Sequence, residues 1–152
     1  MEKKVLKTIE TIARELLAKL DISAEVEITP DQEEESVLVN LVSGDNALLV
    51  GYHGKNLSAI QIVLGLMVYK RTGQWYHLVV DVDNYREKRR SQVEEIARRA
   101  VDQARATGQS IAIANLGSQE RRQIHLLFKD DPEVETHSEG EGRNRQLIIS
   151  VK

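Results

Sequence analysis

The chain contains no cysteine, which excludes disulfides and thiolate metal sites. No apolar run approaches the ~18 residues of a membrane-spanning helix. The N-terminal stretch MEKKVLKTIETIARELLAKL is charged throughout and amphipathic, without the apolar core of a signal peptide. These absences favour the cytoplasm. Internal repeats and low-complexity linkers are also missing. No Ser/His/Asp set is linked by a motif, no pair of acids stands out, and His77 and His137 show no metal-ligand spacing. No catalytic residue, cofactor or metal is therefore expected.

What is present is a globular balance: 152 residues, 41% apolar and 30% charged, enough for one ordinary domain or two small ones. The net charge of −3 hides an asymmetry. Residues 1–83 carry 8 Lys/Arg against 13 Asp/Glu, whereas residues 84–152 carry 13 against 11. Within 86–105 there are 7 basic and 4 acidic residues. A globally acidic chain is not an obvious nucleic-acid binder, but a local basic stripe can still serve one.

Val5, Ile9, Ile12, Leu16 and Leu20 follow the helical period and predict a helix over 3–20. AEVEITPD alternates as a half-buried strand, with a turn starting at Pro30-Asp31. SVLVNLV at 36–42 is its partner, reached through Glu33-Glu34-Glu35 as a solvated hairpin tip. Asp45 can cap a short helix over 46–50. A longer helix opens at Lys55 or Asn56, carries Leu57, Ile60, Leu64, Met67 and Val68, and stops at Thr72-Gly73. WYHLVVDV at 75–82 is a strand, in which Trp75 and Tyr76 read as packing residues. Asp81-x-Asp83 ends that strand and caps the helix that follows, where Asn84 and Glu87 resemble a capping box. The helix they open runs to about Ala106, with Val93, Ile96, Ala97, Ala100, Val101 and Ala104 inward and Gly108 as its stop. SIAIA is a short strand, Ser118 can cap a helix over 119–129, and Val134–His137 and Leu147–Val151 close the chain as strands.

Between the two middle helices lies VGYHGKN, with Gly51 and Gly54 three apart. Walker A fails here: it needs glycine at 49, where Leu stands, and Ser or Thr at 56, where Asn stands. The only Gly-x-Gly, at 140–142, is not followed by a helix, so a dinucleotide fingerprint fails too. Two readings remain. The glycines can serve a tight helix-helix turn and nothing more. Alternatively, they let the backbone and a helix N-terminus approach a sugar-phosphate chain, with the next helix and strand forming a groove for bases.

The order α-β-β-α-α-β with this loop between its last two helices resembles the type II KH domain. VGYHGKNLSAIQ matches that family's signature at Gly51, Gly54, Leu57, Ile60 and Gln61. KH loops usually hold Lys or Arg between the glycines. Here Tyr52 and His53 stand there, and Lys55 follows. In place of the family's cation, Lys55 can substitute, Tyr52 can stack on a base and His53 can contact phosphate, with a charge that depends on pH.

In the second half, ERRQIH places Arg121 and His125 one helical turn apart. Arg offers a fork of donors to phosphate, and His a donor or a stacking face. The bare spacing is common on surface helices. The surrounding NLGSQERRQIHLLF and VETHSEGEGRNRQLIISV, however, resemble a single-strand nucleic-acid-binding domain named for its Arg, three residues, His pattern (R-three-H). Ser138-Glu139-Gly140 and Arg145 match it as well, while Gln119 stands where the family often has proline. Arg86, Lys88, Arg89 and Arg90 would track phosphates, or else pair with Glu87, Glu94 and Glu95. Arg143 lies beside Arg145 in a loop.

The tandem, with the junction DVDNYREKRR, resembles the bacterial Jag (KhpB, SpoIIIJ-associated) family. The resemblance implies an α/β (α+β) chain of two small domains. These are a type II KH domain over 1–82 and an Arg-x-x-x-His domain of order α-β-α-β-β over 84–152. It implies a post-transcriptional regulator that binds single-stranded RNA, or single-stranded DNA, with a link to cell division or envelope homeostasis, and no membrane insertion. The binding residues it implies are Gly51, Tyr52, His53, Gly54, Lys55, Arg86, Arg90, Arg121, His125 and Arg145. Pairing with itself or with a second small KH protein is a further implication. Many Jag chains carry an extra N-terminal domain and linker; this chain starts at the KH helix, so no role of that domain is expected. The alternative is a protein-interaction adaptor whose KH fold has lost RNA affinity.

Overall fold

The structure, a computed structural model, describes residues 3–31 and 35–152. The chain divides into two compact units, Met1–Arg86 and Glu87–Lys152.

The first unit holds helix α1 (Lys3–Lys19), strands β1 (Glu25–Asp31) and β2 (Ser36–Val42), and the short helix α2 (Asn46–Val50). A single 3₁₀ turn (Tyr52–Gly54) leads into helix α3 (Lys55–Thr72), and strand β3 (His77–Val82) follows. The sheet order is β1-β2-β3, with β1 antiparallel and β3 parallel to β2. Parallel pairing demands a crossover, and α2, the glycine turn and α3 supply it. Alternate residues of the sheet, Val37, Val39 and Leu41 in β2 and Leu78, Val80 and Val82 in β3, are buried with Ile9 and Ile12 of α1 and Leu57 and Leu64 of α3.

The turn expected at Pro30-Asp31 does not form: both residues stay in β1, opposite Val37 and Ser36. An edge strand tolerates a residue with no N–H to donate. Most of the acidic hairpin tip lies outside the described residues; Glu35, just before β2, has φ of +49°. Trp75 and Tyr76 precede β3 instead of opening it. Trp75 is exposed and stacks on Tyr69, ring centroids 4.5 Å apart.

In the second unit, α4 (Tyr85–Thr107, its first two residues belonging to the first unit), β4 (Ile111–Ile113), α5 (Ser118–Leu127), β5 (Val134–Glu139) and β6 (Gln146–Val151) follow in turn. The sheet order is β4-β6-β5, all antiparallel. Val93, Ala97 and Val101 of α4, Ile124 of α5, and Leu147 and Ile149 of β6 form its core. Ile96 was expected inward but is exposed. Alanines at 97, 100 and 104 already complete the inward stripe, and the small side chains leave its edge at Val93 and Val101.

Two caps differ from expectation. Asn84 has φ of +53°, outside the extended region an N-cap takes. Asp81, at the end of β3, does the capping: its Oδ1 accepts from the N–H groups of Val82 (2.8 Å) and Arg86 (3.3 Å). At α5 the N-cap is Gly117, one residue before Ser118. Glycine offers no side chain, so only the return half of a capping box forms, with Gly117 N–H donating to Glu120 Oε2 at 2.7 Å.

Candidate nucleic-acid interface

Gly51 and Gly54 both lie in the left-handed region, with φ of +65° and +79°. Each is also pressed by a neighbour. A Cβ on Gly51 would stand 2.4 Å from Cγ of Asn56, whose Nδ2 donates to the carbonyl of Leu48 at 2.8 Å. A Cβ on Gly54 would stand 2.9 Å from the Tyr85 ring. The glycines are therefore required by the loop's own geometry. Gly54 is also the N-cap of α3 and brings no side chain to it; the first N–H, of Lys55, donates to the carbonyl of Tyr52, and the helix end keeps its positive dipole toward solvent.

The residues between and after the glycines face solvent. Tyr52 and His53 stack with ring centroids 4.1 Å apart, and Lys55 Nζ lies 5.0 Å from the centre of the Tyr52 ring. His53 itself has φ of +52°. The loop thus displays an aromatic pair topped by an ammonium group.

Arg86 departs from the expected phosphate contact. It is half-buried: its Nε donates to the carbonyl of Val80 (2.8 Å) and its Nη2 to Gln61 Oε1 (2.8 Å). Gln61 Oε1 also accepts the Val80 N–H at 3.0 Å. Two side chains therefore satisfy both backbone groups of a residue in β3, which is an edge strand. Arg86 serves the fold of the first unit.

Among the other cations of α4, Arg89 donates to Glu120 Oε1 at 2.7 Å, with both side chains only 16% exposed. Arg90 is exposed, with Glu94 at 3.5 Å and Glu87 at 4.0 Å. Its expected place on the surface therefore holds, and so does its alternative pairing with acids.

Arg121 and His125 share a face of α5, and both are half-buried with partners inside the unit. Arg121 Nη1 donates to the carbonyl of Leu116 at 2.6 Å. His125 Nδ1 lies 2.7 Å from Thr136 Oγ1, and its Nε2 lies 3.3 Å from Ser138 Oγ. The pair ties α5 to the preceding turn and to β5. Arg145 and Arg143 are exposed, and so is Arg122 on α5. Sequence reading missed Arg122, Thr136, Ser138, Asn56 and Tyr85. Only Ser138 carried a signal, through the Ser-Glu-Gly match.

Among the described residues no group of three or more His, Asp or Glu could hold a metal, and no helix is long and apolar enough to cross a membrane. The sequence model of the KhpA/KhpB KH domain matches residues 7–80, and that of the R-three-H domain matches residues 91–151. RNA-binding protein KhpB of Clostridium symbiosum is 30% identical over 152 residues, covering 100% of this chain and 67% of that protein. RNA-binding protein KhpB of Bacillus subtilis is 32% identical over 146 residues, covering 95% and 67%. RNA-binding protein KhpB of Streptococcus pneumoniae is 24% identical over 149 residues, covering 95% and 45%. Fold, loop and matches define a tandem of a KH domain and an R-three-H domain. The chain belongs to the KhpB (Jag) family.

Proposed function

We propose that this chain is a binding protein for single-stranded RNA, not an enzyme, and that it works in the cytoplasm as a post-transcriptional regulator. The observation that carries the reading is the glycine turn: two glycines at positive φ hold Tyr52, His53 and Lys55 in solvent at the side-chain-free N-terminus of α3. The peptide dipoles of that helix end and the Lys55 ammonium favour a phosphate, and the aromatic pair favours a base. In the second unit, Arg121 keeps guanidinium donors beyond the one given to Leu116, and Arg122, Arg143 and Arg145 supply exposed charge. Two sites on one chain raise affinity through effective concentration.

The test is fluorescence anisotropy with a random-sequence single-stranded RNA at two salt concentrations. Aspartates belong at Tyr52 and His53, not at the glycines, where any side chain disturbs Asn56 or Tyr85. Salt-sensitive binding weakened by Tyr52→Asp/His53→Asp and by Arg122→Ala/Arg145→Ala supports the reading. A folded wild type that does not bind at low salt overturns it and leaves the adaptor.

A second reading concerns a protein partner. Ile62, Leu66 and Tyr69 are exposed at i, i+4 and i+7 on α3, beside exposed Val63 and Trp75. Such a stripe suits self-complementary pairing with a second KH domain of the same kind. Light scattering of wild type and Leu66→Glu tests it: a dimer that becomes a monomer supports the pairing, and a wild-type monomer at high concentration removes it.

A further inference from the structure

Strand β3 lies at the edge of its sheet, and a bare edge strand shows both N–H donors and C=O acceptors. At Val80 neither group is bare. Gln61 Oε1 accepts the Val80 N–H at 3.0 Å, and the Val80 carbonyl accepts from Arg86 Nε at 2.8 Å. Arg86 Nη2 donates to the same Gln61 Oε1 at 2.8 Å. Besides holding the fold, this closure changes what the edge offers to a ligand.

The acceptors are engaged and donors are left over. Gln61 Oε1 receives two donors, which fixes the amide with Nε2 turned the other way. Arg86 commits Nε and one N–H of Nη2, the side of its guanidinium. Nη1 and the second N–H of Nη2, at the end of the guanidinium, form another fork of donors. Neither residue has a further partner among the described residues. Both side chains are half-buried, and the buried side-chain polar atom without a partner among the described residues is Asn46 Oδ1, so Gln61 Nε2 and Arg86 Nη1 are open to solvent. An edge that as bare backbone would read a donor and an acceptor together here offers donors alone.

Gln61 follows Gly54 on α3 by about 10 Å along the helix axis. Tyr85, next in sequence to Arg86, has its ring against Gly54. A strand held at the glycine turn thus has a base within reach of this edge. We infer that Arg86 and Gln61 select that base, and that the base selected is guanine. Guanine presents O6 and N7 as adjacent acceptors, which a guanidinium fork meets with two hydrogen bonds. Adenine presents an amine beside N7 and would set donor against donor. The inference deepens the RNA reading and rests on it. A guanidinium fork also suits a phosphate, and the test separates the two, because a phosphate contact is blind to the base.

The experiment is competition anisotropy of the full chain with short oligoadenosine strands, one plain and one carrying a single central guanosine. The guanosine strand is expected to bind about tenfold tighter. Inosine in its place keeps O6 and N7 and should keep the advantage. The analogue 7-deazaguanosine lacks N7 and should lose most of it. Gln61→Glu keeps an oxygen for the Val80 N–H and for Arg86, so the fold is retained, but it turns the open donor group into an acceptor and should remove the advantage. Arg86→Lys keeps the charge without the fork and should do the same. The readout is the ratio of two affinities, so a weakening common to both strands does not imitate the effect. Equal binding of the two strands by wild type, an unchanged ratio in Gln61→Glu, or 7-deazaguanosine held as tightly as guanosine would each overturn the inference and leave the RNA reading standing. A folded wild type that binds neither strand at low salt overturns both.

Discussion

The ring of Tyr85 fills the space that a side chain on Gly54 would need, with Cε1 2.9 Å from the position of a Cβ. The glycine loop is therefore keyed to the segment that follows β3. Gly54→Ala combines a backbone at φ of +79° with that contact and is expected to destabilise the fold by about 2–3 kcal/mol in urea unfolding. Gly54→Ala/Tyr85→Ala should recover only the contact, since the backbone strain remains. A cycle with no coupling would mean that Tyr85 moves aside without penalty.

Arg86 and Arg90 lie four apart in α4 and should behave oppositely. Arg86→Ala strips a charged donor from the Val80 carbonyl and from Gln61, so a stability loss of about 2 kcal/mol is expected, with the salt dependence of RNA binding unchanged. Arg90→Ala should leave stability within about 0.5 kcal/mol. If Arg90 meets a phosphate, the slope of log K against log salt should fall by about one. Thermal melts and salt titrations of both variants decide this.

His125 is expected to act through its hydroxyl partners. Thr136→Val removes the oxygen 2.7 Å from His125 Nδ1 while keeping the side-chain shape, and should cost about 1 kcal/mol. If the ring must be held for RNA to bind, affinity falls with it. Unchanged affinity in a stable Thr136→Val would leave His125 a fold residue only.

These cases mark what could be read from the sequence. The helical stripe Leu57, Ile60, Leu64 and Val68 and the glycine stops at Gly73 and Gly108 follow from period and φ alone, and they appear where expected. The order of elements in both units was legible for the same reason. Arg86, Arg121 and His125 were equally visible as residues, but their partners are a strand carbonyl, a turn carbonyl and hydroxyls on β5. Such partners depend on tertiary placement, which spacing does not encode. Asp81 caps α4 as its place at the strand end suggests, whereas Asn84, at positive φ, does not act as the N-cap. Trp75 found Tyr69 across the Gly73 turn.

Glu120 joins two roles, accepting the Gly117 N–H with Oε2 and Arg89 Nε with Oε1. Glu120→Ala loses the cap and the charged hydrogen bond to Arg89, so about 2 kcal/mol should be lost. Glu120→Gln can keep one oxygen on Gly117 and should lose roughly half of that. Equal losses in the two variants would assign the whole effect to the ion pair.

Acid should expose the contact between α1 and α3. Arg71 grips Glu15 with two hydrogen bonds, of 3.0 and 2.9 Å, and the bond from Arg71 holds the Glu15 carboxyl below its ordinary value. A carboxyl lowered in the folded state stabilises above its unfolded value of about 4.3, and that contribution disappears as pH falls through the folded value. Wild type should therefore melt above Glu15→Gln at neutral pH, and the gap should close below about pH 4. Because both side chains are partly exposed, 49% for Arg71 and 39% for Glu15, the gap should also narrow in high salt at neutral pH. A difference that persists in acid would place the effect of the substitution in helix propensity and not in the ion pair.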